Sequence, residues 1–141
     1  MALTDQVARR RVFTGALWVL QVGLAGVFLV AGLTKLTQTG PALLPRLAWA
    51  PDVPAALLRA IGFSELLGAI GLLVPAATRI RPELTPAAAS GLTAVMALAV
   101  MFHLYRGDNA FFIPAVLAGL SALVAWGRSR KAPIAARAPV R

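Results

Sequence analysis

Four apolar stretches, each near the length of a membrane crossing, constrain this chain more than any other feature. They run from Val12 to about Thr34, from about Ala55 to Val74, from Pro86 to Tyr105, and from Phe111 to Trp126. At about 1.5 Å of rise per residue, some 20 helical residues cross the roughly 30 Å hydrocarbon layer. The fourth stretch is shorter and is expected to tilt little or to meet a locally thinned bilayer. Barrel strands alternate apolar and polar residues, whereas these segments are apolar on every face. A helix satisfies its own backbone hydrogen bonds in lipid. The expected fold is therefore an all-α membrane protein, a four-helix transmembrane bundle over 12–126. A basic N-tail, 1–11, and a basic C-tail, 127–141, flank it.

Composition agrees. Hydrophobic residues make up 59% and charged residues 13% of 141, where a soluble domain carries about a quarter charged. The chain has no cysteine, which excludes disulfides, thiol catalysis, Fe–S clusters and thiolate metal sites. With a single histidine and five acids, no metal site is expected.

Basic residues set the expected direction. Arg9, Arg10, Arg11, Arg79, Arg81, Arg128, Arg130, Lys131, Arg137 and Arg141 fall on one side, against Lys35, Arg46, Arg59 and Arg106 on the other. The positive-inside rule then places both termini in the cytoplasm. Trp126 and Trp49 lie near the two water boundaries. Arg10-Arg11-Val12-Phe13 resembles a twin-arginine export signal, but the apolar run behind it exceeds a secretory h-region and no clear cleavage site follows. The basic C-tail is expected to be disordered and to rest on anionic lipid. It lacks the aromatic interleaving of a nucleic-acid arm, so no nucleic-acid partner is expected.

Proline punctuates the connections. Gln38–Pro54, with Pro41, Pro45, Pro51 and Pro54, reads as an irregular loop carrying a short interfacial helix around Ala42–Trp49. Pro75 is expected to close the second span, and Pro86 and Pro114 fit first-turn positions. Gly23, Gly26, Gly71, Gly91 and neighbouring alanines suit close helix packing.

The informative residues are the polar ones inside the spans. Glu65 lies about 15 Å from either end of its helix, near the midplane. A carboxylate there needs a partner or a proton. Gly62 and Gly68 flank it at i−3 and i+3 and are expected to leave space beside it. His103 ends the third span, with Arg106 and Asp108 just beyond, and Lys35 ends the first. Side chains lean toward their helix N-termini, so Glu65, Lys35 and His103 are expected to converge. Glu65 and His103 are the candidate acid–base pair; Lys35, Gly62, Gly68, Arg106 and Asp108 are candidate ligand-binding residues. Plainer roles compete: Glu65 fixing helix register, His103 bonded to a carbonyl, Lys35 and Arg106 snorkelling to headgroups. Gln21 is a separate polar position nearer the termini.

These residues occur in an ordered set: Phe28-x-x-Ala31-Gly32-x-x-Lys35, Gly62-x-x-Glu65-x-x-Gly68-Ala69-x-Gly71-Leu72-Leu73-Val74-Pro75, Pro82-x-Leu84-Thr85-Pro86-x-Ala88-Ala89-x-Gly91-Leu92, and His103-x-x-Arg106-Gly107-Asp108. The set resembles the DoxX-like membrane protein family over roughly Gly23–Asp108. The resemblance implies a four-helix bundle with cytoplasmic termini and a polar signature of Lys35, Glu65 and His103. It also implies links to thiosulfate:quinone oxidoreductase subunits, membrane redox-stress complexes and, in eukaryotic relatives, cargo reception or receptor chaperoning. Without cysteine, thiol-redox versions of those roles lack their reactive group.

Three functions follow as expectations. The first is a binding or accessory subunit that holds an apolar, quinone- or lipid-like ligand, or docks a membrane redox partner. Its outer-leaflet pocket would be lined by Glu65, His103 and Lys35. The second is a membrane enzyme using Glu65 and His103 for isomerisation or ring opening of a lipid-soluble substrate. The third is a structural assembly factor or chaperone. Quinone is the one cofactor class suggested. The lipid bilayer, and a second copy of the chain, are the other expected partners. Four spans without a repeat disfavour a transporter, and no span carries the arginine series of a voltage sensor. A bacterial cytoplasmic membrane is the expected home.

Overall fold

The computed structural model describes residues 2–38, 42, 45 and 47–138. Four helices cover most of them: α1 (Ala2–Thr37), α2 (Ala55–Thr78), α3 (Leu84–Arg106) and α4 (Phe112–Trp126). Each belongs to a helical run long and apolar enough to cross a membrane, and no strand occurs among the described residues. Consecutive helices pack side by side, and α4 closes back on α1. Pro41, Arg46, Pro139 and Arg141 lie outside the described residues, as do Leu43 and Leu44 of the interfacial helix expected around Ala42–Trp49. A short 3-10 turn, Ala50–Asp52, follows that segment.

The packing has a seam on every helix. Buried positions recur at Leu17, Gln21, Leu24, Phe28, Gly32 and Lys35 on α1, and at Leu58, Gly62, Glu65, Ala69, Leu72 and Ala76 on α2. On α3 they are Thr85, Ala89, Leu92, Met96 and His103. Near-alternating steps of three and four make the stripe of a left-handed bundle, in which neighbouring helices interdigitate side chains. Leu24, Phe28, Leu72, Ala89, Leu92, Met96 and Val124 form the apolar centre. The perimeter is apolar too, with Val19 76%, Leu98 66% and Ile113 70% exposed. Polar residues on the seam and apolar residues outside reverse the soluble pattern, and lipid tails are the medium that suits such a perimeter.

Four boundaries differ from those read in the sequence, each for a local reason. The first helix starts at Ala2, so Arg9, Arg10 and Arg11 extend α1 as helix. At about 1.5 Å per residue α1 reaches well beyond the roughly 30 Å hydrocarbon layer. Pro75 lies inside α2 and does not close it. Proline removes one backbone donor but fits helical φ, and the helix runs on to Arg79, which takes a left-handed φ of 60° and returns its N–H to the Pro75 carbonyl. The fourth span is extended at both ends, by a 3-10 turn at Asn109–Phe111 and a π turn at Gly127–Lys131. The continuous run Asn109–Lys131 has 23 residues, so it needs no thinned bilayer.

The C-tail is the last of these. It was expected to be disordered, yet 132–138 lies against the α2–α3 connection. The Arg137 N–H donates to the Arg79 carbonyl at 2.9 Å, and Arg79 Nε donates to the Ala135 carbonyl at 3.0 Å. Ala132 is buried. Open carbonyls at a helix C-terminus seek donors, and the tail backbone supplies one.

Candidate functional site

Polar groups gather in three places. The first joins α1 to α2. Lys35 Nζ donates to both Glu65 carboxylate oxygens, at 2.9 and 2.7 Å, with both residues buried. Gly32 and Gly62 stand three residues before the two charges, and there the helices touch. A Cβ on Gly62 would fall 2.8 Å from Lys35 Cβ and 2.9 Å from the Gly32 carbonyl oxygen. A Cβ on Gly68 would collide with the Leu92 side chain. The space expected beside the Glu65 carboxyl is thus filled by Gly32, Lys35 and Leu92, and the glycines allow close approach of neighbouring chains.

The second cluster caps the far end of α3. Gly107, with φ 72°, ends that helix, and Asp108 turns the chain by accepting the Ala110 N–H. The same carboxylate accepts from His103 Nδ1 at 2.8 Å and from Arg106 Nε at 2.8 Å. Arg106 also pairs with Asp52 of the Ala50–Asp52 turn. The hydrogen bond from Arg106 holds the Asp108 carboxyl below its ordinary value, and the Ala110 N–H and His103 add to that against a smaller opposing effect of burial. Trp49 and Phe102 set their rings edge-on to His103, with centroids 6.2 and 5.7 Å away.

A neutral His103 that donates Nδ1–H to Asp108 carries its lone pair on Nε2. Nε2 makes no hydrogen bond to the described residues. The imidazole is oriented by a carboxylate and has one nitrogen left to accept a proton or a hydrogen bond.

The third cluster lies at the end that carries both termini. Gln21 Nε2 donates to the Leu72 carbonyl at 2.7 Å, and Arg128 Nε donates to Gln21 Oε1. Arg128 is 3% exposed, and its guanidinium lies over the Trp18 ring at 5.2 Å.

The structure therefore pairs Lys35 with Glu65, and His103 with Asp108 and Arg106. No hydrogen bond joins Glu65 to His103 among the described residues. Asp52 and Arg128 escaped the sequence reading. The shortage of acids pointed to Asp52, since with five carboxylates in the chain few partners remain for Arg106. Arg128 continues the buried spacing of Ser121 and Val124, which places it on the seam and not in a solvated tail. Among the described residues no three potential metal ligands gather.

The seam charges, the glycine crossing and the α3 cap all fall within one matched segment. The family model described as DoxX-like family matches residues 19–125, most of the chain. The chain belongs to the DoxX-like family. No curated protein and no solved structure matches it. Four apolar helices make it a DoxX-like membrane protein.

Proposed function

We propose that this DoxX-like protein is a binding or accessory subunit of a bacterial cytoplasmic membrane. In this reading both termini are cytoplasmic, and the bundle holds an apolar, quinone- or lipid-like molecule in its outer-leaflet half, where a membrane redox partner would meet it. His103 contacts the polar head of that molecule, positioned by Asp108 and Arg106. The Lys35–Glu65 pair locks α1 to α2. One observation carries the choice of binding over catalysis: Lys35 occupies both Glu65 oxygens, so that carboxylate is no free acid or base. The imidazole beside Trp49 and Phe102 supports the ligand contact, because aromatic edges with one polar nitrogen suit a ring bearing a hydroxyl or carbonyl.

The Asp108–His103 bond favours a second reading, an enzyme in which His103 alone moves the proton and Asp108 orients it. Titration of the detergent-purified protein with a short-chain benzoquinone and its hydroquinone, followed by tryptophan fluorescence, separates the two. Binding predicts saturation that weakens about tenfold in His103→Gln, with no chemical change of the ligand. A pH-dependent conversion lost in His103→Gln, with affinity retained, would favour the enzyme. Equal response of wild type and His103→Gln would remove both.

A further inference from the structure

Arg128 is a buried cation that meets no carboxylate among the described residues. Its Nε is satisfied by the neutral amide of Gln21, and its Nη1 reaches the Ala132 carbonyl at a long 3.4 Å. Its Nη2 is buried and has no hydrogen-bond partner among the described residues. A guanidinium placed this way bears a desolvation penalty that no counter-charge among the described residues offsets. The surroundings deepen the imbalance. Arg128 opens on a cleft of about 520 Å³ whose other charged walls are Arg10 of α1 and Arg79 at the end of α2. Among the described residues no acid lines that cleft, and the Arg10 side chain makes no ion pair.

We propose that this cleft is a phosphate-binding site that takes the phosphodiester of an anionic lipid headgroup. Arginine forks match phosphate oxygens in pairs, and the unpartnered Nη2 of Arg128 supplies the buried donor such a site requires. The floor is apolar, with Trp18, Ala76 and Ile134 beside the arginines, as suits the first carbons of a lipid below its phosphate. The start of α1 and the ends of α2 and α4 meet here, at the rim of the bundle. Lys131 stacks over Trp126 at the same rim, 5.4 Å from the ring centre, an interfacial pairing. The folded tail forms one wall, pinned by the bond from Arg79 to Ala135. This site lies at the opposite end from His103 and stands or falls independently of the reading above.

Native mass spectrometry of the full chain in detergent tests it, with phosphatidylglycerol and phosphatidylcholine as probes. One phosphatidylglycerol should be retained about tenfold more tightly than phosphatidylcholine, and Arg10→Gln and Arg128→Gln should each erase that preference. Arg130→Gln, an exposed arginine of the same end outside the cleft, should leave it unchanged. Arg10→Gln changes an exposed side chain, so it keeps the test valid if Arg128→Gln does not fold. Glycerol 1-phosphate separates the sources: displacement of lipid only at high excess fits a headgroup, and binding as tight as the lipid fits a soluble phosphate ester in the same site. Equal retention of both lipids, or equal losses in Arg10→Gln and Arg130→Gln, would overturn the proposal.

Discussion

Lys35 grips Glu65 by both carboxylate oxygens across the α1–α2 interface, 2.9 and 2.7 Å from its Nζ. Lys35 lies beside Gly62 where the two backbones touch, and its side chain reaches Glu65 one turn further along α2. A buried pair of this kind contributes geometry more than net stability, because desolvation offsets most of the attraction. Removing one partner is a different matter, since it strands the other charge away from water.

Glu65→Gln and Lys35→Met alone should therefore each destabilise the bundle by about 3–5 kcal/mol. The double variant Lys35→Met/Glu65→Leu should return to near wild-type stability. Unfolding in mixed micelles measures all three, and a double variant as weak as the singles would show that the pair contributes more than register.

Gly62→Ala should push α1 from α2, since its new methyl meets Lys35 and the Gly32 carbonyl. Overpacking of this kind costs about 1–3 kcal/mol. Gly23→Ala, where nothing lies within 4 Å, should be neutral or slightly stabilising. Equal melting temperatures for the two would refute the close crossing.

Thr85 is fully buried, and its hydroxyl has no hydrogen-bond partner among the described residues. Thr85→Val keeps the shape and removes the unsatisfied group, so stability should rise by about 1 kcal/mol. A loss in the same unfolding assay would mean the hydroxyl has a partner in the folded protein.

The pH dependence of the α3 cap follows from Asp108. Its folded-state value is depressed below 3.8, first by Arg106, so its contribution is present in full above the unfolded value and is lost as pH falls through the folded one. The stability gap between wild type and Asp108→Asn should hold down to about pH 5 and close progressively as pH falls further. A gap that closes between pH 5 and 7 would contradict the pairing.

Much of this was legible in the sequence, for physical reasons that also mark where legibility stopped. Lipid demands long apolar helices, so the four spans stood out, and a midplane carboxylate demands a partner, so Glu65 and Lys35 did too. His103, Arg106 and Asp108 were read as neighbours, but the turn at Gly107 that folds Asp108 back onto His103 depends on one left-handed residue. The glycines beside Glu65 suggested room, because sequence gives no view of the opposite helix that fills it. Pro75 suggested an end because its lost donor is visible, whereas the carbonyl geometry that lets α2 continue is not. The tail read as disordered since its bonds to Arg79 use backbone groups that every residue carries.

In the proposed function His103 meets a bound molecule while Lys35–Glu65 holds the helices around it. Mass spectrometry of small molecules retained after mild-detergent purification tests it most directly, comparing wild type, His103→Gln and Lys35→Met/Glu65→Leu. A defined apolar compound should be present in wild type and in the double variant and lost from His103→Gln. The same bulk lipid in all three, with no defined compound in any, would contradict it.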